Sequence, residues 1–547
     1  METEMKNNYW YKQAIIYELN VRAFYDSNGD GIGDLKGVTE KLDYLQDLGV
    51  DLIWLMPIMK SPLRDGGYDV SDMRDINPIY GLLDDFSELV AEIHRRDMKI
   101  MVELIPNHTS DQHPWFQASH DPSHPEHEKY KDYYVWSNTD ERFKEARIIF
   151  IDYEKSNWTY DSLRGQYFWH RFFHHQPDLN YDNPEVQRAM MRAVQYWIDL
   201  GVDAIRVDAP PYLYEREGTN CENLPESHAY YKRMRAFVDA YAPGTMLLAE
   251  ANQWPEDTRD YFGNGDEFQM NFHFPLMPRL FMSIAKADRT SIDEILARTP
   301  DLPDNCQWGI FLRNHDELTL EMVTEEDREF MWGFYAPDKI MRSNLGIRRR
   351  LAPLLGNDLR KIKLLHAILL SFMGSPVLYY GDEIGMGDNV HLQDRDGVRT
   401  PMQWDESKNA GFSIIDSQKL TIPVIDDSEY GFQKINVKTA VENPQSFLNW
   451  LKRMIVIRKH HPVFGEGKLT LCSPNNKAIL AYLRENENEK ILVINNFSPD
   501  KQSVSFEQLG IQPQKLQDIL DSAFPFKLVP SNFELEGFGF RWLKIID

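Results

Sequence analysis

Eight short runs rich in Ile, Val, Leu and aromatic residues recur through the N-terminal two-thirds of the chain, with segments of helical period between them. The runs are residues 14–19, 51–56, 99–105, 203–207, 246–249, 268–271, 308–312 and 377–380. Helical segments cover 35–48, 83–96, 184–200, 226–240 and 360–372, where apolar residues return at three- and four-residue spacing. Strands alternating with helices predict a parallel sheet, and eight such strands predict a closed (β/α)8 TIM barrel, an α/β fold. An open doubly wound sheet is the alternative, but no G-x-G-x-x-G follows any run. The most apolar long stretch, 364–380, contains His366, Ser371, Gly374, Ser375 and Pro376. It reads as a buried helix followed by a strand rather than a membrane span.

Two stretches break the alternation. Between Asn107 and Pro177 about 70 residues pass without a barrel pattern, too many for a plain loop. This stretch holds eight of the sixteen histidines and many aromatics. It predicts a small inserted subdomain after strand three, over the barrel mouth. Beyond Phe464 the chain turns to short β-like segments (478–483, 490–495 and 538–546) separated by Pro, Asn and Gly, which predicts a C-terminal antiparallel β-domain. The expected organisation is a first barrel part over 1–106, an insert over 107–177, a second barrel part over 178–463 and the β-domain over 464–547.

Charge narrows the partners. The 547 residues carry a formal net charge of −25. So acidic a surface repels phosphate backbones and anionic lipid, which argues against nucleic acid and membranes as partners. Cys221, Cys306 and Cys472 are far apart, and three thiols cannot all pair. A disulfide framework is therefore excluded and a reducing, cytoplasmic location is expected. Residues 1–12 show no basic segment ahead of an apolar one, so no secretion signal is expected.

In a (β/α)8 barrel the chemistry sits at or just beyond the C-terminal ends of strands. Strand two is followed by Tyr68-Asp69 and strand three by Asn107-His108. Strand four ends in Arg206-Val207-Asp208, strand five in Glu250 and strand seven in Asn314-His315-Asp316. A single strand-end carboxylate is ordinarily a cap or an ion-pair partner. Five strands converging on carboxylates, two histidines and an arginine are harder to explain structurally, because buried acids are costly unless their charge is used. Arg206 and Asp208, at i and i+2, share one face of a strand, so the guanidinium favours the ionised form that a nucleophile needs. Glu250 follows the apolar Leu247-Leu248-Ala249, where desolvation raises a carboxyl pKa and lets it hold a proton. One ionised and one protonated carboxyl group is the arrangement for retaining glycosidic cleavage, with an expected separation of roughly 5–5.5 Å.

The segments Gly67-Tyr68-Asp69, Pro106-Asn107-His108, 203–208, Ala249-Glu250 and 313–316 resemble, in order and over nearly the whole chain, the signature regions of the α-amylase superfamily (glycoside hydrolase family 13). The resemblance implies Asp208 as nucleophile, Glu250 as general acid/base and Asp316 as the third acid, which binds sugar hydroxyls and helps distort the ring. It implies Arg206, His108 and His315 as contacts of the reacting glucose and Tyr68 as the aromatic platform beneath it. Residues 176–180 and 399–404 resemble the oligo-1,6-glucosidase-like branch, in which Asp69 and Arg399 would pair and hold the terminal O4. The runs 214–225, 272–277 and 346–353 resemble the trehalose synthase branch. That implies an isomerase working by intramolecular transglucosidation between maltose and trehalose, with minor hydrolysis. A hydrolytic α-glucosidase with the same carboxylates is one alternative, and an inactive amylase-like binding module is another. Gln176 and Arg395 are the candidates for holding the acceptor glucose, under a lid formed by the insert and the loop around residues 394–396. The family usually has Asp where this chain has Glu103. The expected partner is a small disaccharide. A homo-oligomer (dimer or tetramer) and association with a maltokinase are further partner expectations.

Two metal sites are expected. Asp26, Asn28 and Asp30 stand at positions 1, 3 and 5 of an EF-hand-like loop, with Gly31 at 6 and the Ile32 carbonyl at 7. Position 12 is Gly37, so Asp34 is taken to supply the further carboxylate. The bound ion would be Ca2+ or Mg2+, and a plain Asx/Gly turn is the alternative. The family resemblance implies a second, structural Ca2+ site from Asn107, Asp178, Glu215 and the carbonyls of Tyr212 and Leu213. Hard oxygen ligands suit Ca2+. His120, His124 and His127 lack a nearby cysteine and a fourth ligand, so they read as loop histidines rather than a zinc site.

Overall fold

A computed structural model of the chain describes residues 9–511, 515–521 and 532–546. Residues 1–8 of the N-terminal reading, and parts of the segment assigned to the C-terminal domain, lie outside the described residues. Eight strands close a barrel: β1 (Ile16–Leu19), β2 (Leu52–Leu55), β3 (Lys99–Leu104), β4 (Ala204–Val207), β5 (Met246–Ala249), β6 (Met270–Phe272), β7 (Gln307–Phe311) and β8 (Ser375–Tyr379). Each pairs in parallel with its neighbours in chain order, and β8 returns to β1 through Ile16–Val377. The open-sheet alternative is thereby excluded.

Local sequence explains the helices around this sheet. In helix Pro184–Asp199, Pro184 opens the first turn, where its missing N–H costs nothing, and the Asn183 side chain caps Glu185 N. Val186, Ala189, Met190, Ala193, Val194 and Trp197 form the stripe buried against the barrel. The segment 35–48, expected as one helix, is two: Leu35–Glu40 and Leu42–Leu48, broken at Lys41. Gly37 and the β-branched Val38 and Thr39 weaken its first half, and Gly37 is needed there because a Cβ would stand 2.0 Å from Tyr25 O. Strand β8 begins two residues earlier than expected. Pro376, which reads as a breaker, lies at the strand's start, where a missing donor is tolerated.

The insert contains helix Pro114–His120 and a three-stranded antiparallel sheet of Trp136–Ser137, Gln166–Trp169 and Trp158–Asp161. Bridges His108–Asp178 and Tyr134–Leu179 tie it to the barrel. The C-terminal region forms a five-stranded antiparallel sheet in the order Lys468–Cys472, Ile479–Glu485, Lys490–Asn496, Phe540–Ile546 and Lys515–Asp518. It docks on helix Leu359–Ser371, where Ser371 Oγ meets Tyr482 OH at 2.7 Å and Arg484 donates to Ser371 O at 3.0 Å. Among the described residues no helix is long and apolar enough to cross a membrane.

Candidate active site

Parallel register brings the strand-end residues together. Arg206 on β4 lies opposite Glu103 on β3 and Leu248 on β5. Asp208 N donates to Leu104 O at 2.9 Å, and Glu250 N to Val207 O at 3.1 Å. The backbone of three adjacent strands therefore places both carboxylates at one end of the barrel. The Arg206 guanidinium, 1% exposed, links three acids: Asp208 Oδ1 at 2.6 Å, Glu250 Oε1 at 2.5 Å and Glu103 Oε2 at 2.8 Å. Burial pushes the Glu250 carboxyl well above its ordinary range, with Arg206 pulling down and the Asp208 and Asp316 charges adding to the rise.

Asp316 has the opposite character. Burial alone would raise it, but the His315, Arg395 and Arg399 charges hold it well below the usual carboxylate range. His315 Nε2 lies 3.0 Å from Asp316 and 2.8 Å from Tyr68 OH, while its Nδ1 contacts Glu18. Despite burial, Asp316 and Glu18 lift the His315 pKa to about 9. Burial pushes His108 down to about 4. Glu103, where the family usually has Asp, takes hydrogen bonds from Trp54 Nε1 at 2.8 Å and Tyr68 OH at 3.1 Å, and burial raises it to about 7. Its longer side chain thus reaches Tyr68, Arg206 and Trp54 of β2 at once.

These groups open on a pocket lined by Tyr68, His108, Asp208, Glu250, Asp316 and Arg395, with Asp65, Phe150, Phe172, Tyr212, Asn252 and Glu317 among the other walls. Arg206, His315, Gln176 and Arg399 stand one layer behind. Gln176 donates to Asp65 Oδ2 at 2.9 Å, and Arg399 to Asp316 Oδ1 at 3.0 Å and His315 O at 2.9 Å. The Asp69–Arg399 pair does not form among the described residues. Asp69 is saturated by Ser61 Oγ (2.8 Å) and by the amides of Arg64 (3.0 Å) and Asp65 (3.1 Å), and its ion-pair partner is Arg64 at 3.8 Å. The turn at Gly66 stands in between: a Cβ there would lie 2.6 Å from Arg399 Nη1.

Sequence reading missed Asp65 and Glu18. Asp65 receives Arg395 Nη2 at 2.6 Å and is raised to about 7 by burial. Nothing in its spacing distinguishes it from Asp69. Glu18 carried a signal, as an acid inside the apolar run 14–19. Arg395 reaches Asp316 at 2.6 Å and lies over the Phe150 ring of the insert, 5.5 Å from its centroid. Tyr153 OH of the insert donates to Asp394 at 3.3 Å, so the insert and the loop around residues 394–396 meet above the pocket.

The two expected metal sets differ. In the 26–34 loop, the oxygens are engaged by the loop itself. Asp26 accepts from Gly29 N and Gly31 N (both 2.7 Å), Asn28 from Asp30 N (2.9 Å), Asp30 from Ile32 N (2.9 Å) and Asp34 from Gly37 N (2.7 Å). In the second set, Asn107 Oδ1, Asp178 Oδ2 and Glu215 Oε1 are each buried without a hydrogen-bond partner. Burial raises Asp178 to about 8 and Glu215 well above its normal range, the latter also through repulsion from Asp178. His120 meets Asp161 at 3.1 Å and His127 meets Ala118 O at 3.0 Å, and both stand at the ends of short helices, Pro114–His120 and His127–Tyr130, rather than in the loop expected for them.

Comparisons with known proteins identify the family. The alpha amylase catalytic domain matches residues 18–333 and 348–467, and the maltogenic amylase C-terminal domain matches 469–542. The chain belongs to the α-amylase family. It is 52% identical over 98% of its length to trehalose synthase/amylase TreS of Mycolicibacterium smegmatis, of which it covers 92%. It is also 52% identical to the trehalose synthase of Pimelobacter sp., covering 98% of this chain and 96% of that one. Among solved structures, the trehalulose synthase MutB of Pseudomonas mesoacidophila superposes with a TM-score of 0.78 at 27% identity, over 98% of this chain and 99% of that one. These likenesses place the chain in the trehalose synthase branch, as a sugar isomerase and transglucosidase.

Proposed function

We propose that the chain interconverts maltose and trehalose by intramolecular transglucosidation through a β-glucosyl ester on Asp208, with minor hydrolysis. The observation that carries this reading is the pair of carboxyl groups joined by Arg206 at the base of a pocket whose mouth is bridged by the insert and the Arg395 loop. Glu250, held protonated by burial, gives its proton to the bridging oxygen while Asp208 attacks C1 and the C1–O bond breaks. The freed glucose stays, turns and presents its anomeric hydroxyl. Glu250, now ionised, removes the proton of that anomeric hydroxyl as the hydroxyl oxygen attacks C1 and displaces Asp208, while the proton given in the first step stays on the former bridging oxygen. Two inversions restore the α configuration.

Asp316, kept ionised by its cationic neighbours, binds sugar hydroxyls, with Tyr68 as the platform and His108 beside the reacting ring. Arg206, His315 and Arg399 act from behind, fixing the charges of the acids. Asp65, Gln176 and Arg395 hold the rim on the acceptor side, where water must be excluded for transfer to win. Asn107, Asp178 and Glu215, with the carbonyls of Tyr212 and Leu213, suit a structural Ca2+. Three buried oxygens without donors fit a hard cation, which would tie the insert to the barrel. The 26–34 loop offers oxygens for a second Ca2+ or Mg2+, several of which also accept one backbone amide each and keep a lone pair for the ion.

Incubation of the purified protein with maltose, and separately with trehalose, tests the reading. Convergence on one maltose–trehalose mixture from both sides is the expected result. Glucose as nearly the sole product would replace it with a hydrolytic α-glucosidase.

A further inference from the structure

The basic run 346–350 reaches no part of the pocket lining, yet it touches both walls that flank the third acid. Its first residues form a short strand, Gly346–Ile347, antiparallel to Leu318–Thr319, which directly follows Asp316 and Glu317. The fit is tight, for a Cβ on Gly346 would lie 2.4 Å from the Glu317 side chain. Arg313 fastens the same join. Its Nε donates to Arg349 O at 2.7 Å, and its Nη2 donates to Asp316 O.

The three arginines face the other wall. Arg348 donates to Leu392 O at 2.8 Å, Asp394 O at 2.5 Å and Val390 O at 3.2 Å, and to Ile340 O at 2.8 Å. Arg349 grips Asp388 through Nε at 2.9 and 3.0 Å, and Asp388 also accepts from Arg350 N at 2.6 Å. Arg350, fully buried, donates to Tyr380 O at 2.7 Å beyond the end of β8. The loop so held ends in Asp394, whose φ of +44° is a conformation that non-glycine residues rarely adopt. The next residue is Arg395, which reaches Asp316 and Asp65 together. A planar fork with five donors can hold a turn through its carbonyls where an ammonium cannot.

We propose that Arg348 is a positioning residue that latches the 390–394 loop and so sets Arg395 on the third acid, deciding whether the glucosyl-enzyme is taken by glucose or by water. This rests on the transglucosidase reading above. Arg348 touches neither substrate nor reacting atoms, so its loss acts through the loop. It leaves four carbonyls, three of them in the loop, to water and relaxes the strained Asp394, and the rim opens on the acceptor side.

The test compares wild type, R348A and R348K with maltose, measuring glucose against trehalose, and follows backbone hydrogen exchange over residues 388–396. The expected result is a glucose fraction raised about three- to tenfold in R348A, the factor that one or two lost net hydrogen bonds carry. Exchange in that loop should rise while exchange in strands β3–β5 stays unchanged. R348K keeps the charge but not the fork and should follow R348A, which keeps the test available if R348A does not fold. An unchanged product ratio, or a raised ratio without faster loop exchange, overturns the latch. Glucose alone from the wild type would sink the transglucosidase reading instead, and the exchange measurement would still decide the latch.

Discussion

The base and the rim of the pocket are built by different means. At the base, Asp208 and Glu250 follow directly on strands β4 and β5, and their own amides continue the barrel ladder through Leu104 O and Val207 O. At the rim, Arg395 sits on an irregular loop held by arginine donors on backbone carbonyls, and Phe150 and Tyr153 come from a separate subdomain. The base is as rigid as the barrel, whereas the rim can open at the cost of a few side-chain hydrogen bonds. The proposed mechanism accordingly assigns bond cleavage to the base and the choice of acceptor to the rim.

The sharpest break of that division comes at the base. Replacing Asp208 with Ala removes the oxygen proposed to attack C1 and should lower turnover of maltose by about 10^4-fold or more, measured as total sugar released or rearranged. Residual turnover near wild type would remove Asp208 from the mechanism. Glu250→Gln should cost about 10^2- to 10^4-fold on maltose, and much less on an aryl α-glucoside whose leaving group needs no proton. Equal losses on both substrates would contradict the proton-donor role.

The pH profile probes the same base without mutation. In the proposed mechanism cleavage needs the protonated form of Glu250, and burial holds that form well above the ordinary carboxylate range. Activity should therefore persist through the pH range where exposed glutamates are already ionised, about 4.3, and fall on the alkaline side as Glu250 loses its proton. A basic limb beginning near the ordinary carboxylate pKa would argue against a desolvated acid. The rim should answer differently. Arg395→Lys loses the fork that spans Asp316 and Asp65, and should raise the glucose fraction by about tenfold or less, a larger relative change in product ratio than in total turnover.

The same division decides what the sequence could reveal. The eight barrel strands were legible because buried parallel strands are short apolar runs, and a polar residue just past such a run stands out, as Asp208 and Glu250 do. The Arg206–Asp208 contact followed from the two-residue period of a strand. The rim had no such code. Asp65 and Asp69 lie four residues apart in one Gly-containing turn, and only the folded turn at Gly66 shows that Asp65, not Asp69, pairs with Arg395. The role of the 346–350 run was equally hidden, because its donors go to carbonyls that every residue possesses. Helix Leu276–Lys286 escaped the periodicity reading for another reason. Its apolar period is present, with Arg279, Ser283 and Lys286 returning on one face, but Pro275 and Pro278 at its start are helix-breaking signals.

The smallest expected effect tests what joins the two regions. Asn107 lies just past β3, Asp178 at the return from the insert and Glu215 beyond β4, so a cation among them would fasten the rim's subdomain to the barrel. Without it, two buried carboxyl groups repel each other and three oxygens lack donors. Removing divalent ions with a chelator should lower the melting temperature by about 3 °C or more, the shift that roughly 1 kcal/mol produces in a large domain, and Ca2+ should restore it. The Asp178→Asn variant, which lowers the negative charge at the site, should lose most of that Ca2+ response. A chelator response that survives in Asp178→Asn but disappears in Asp26→Asn would move the working ion to the 26–34 loop, and the insert would then be held by its β-bridges and side-chain packing alone.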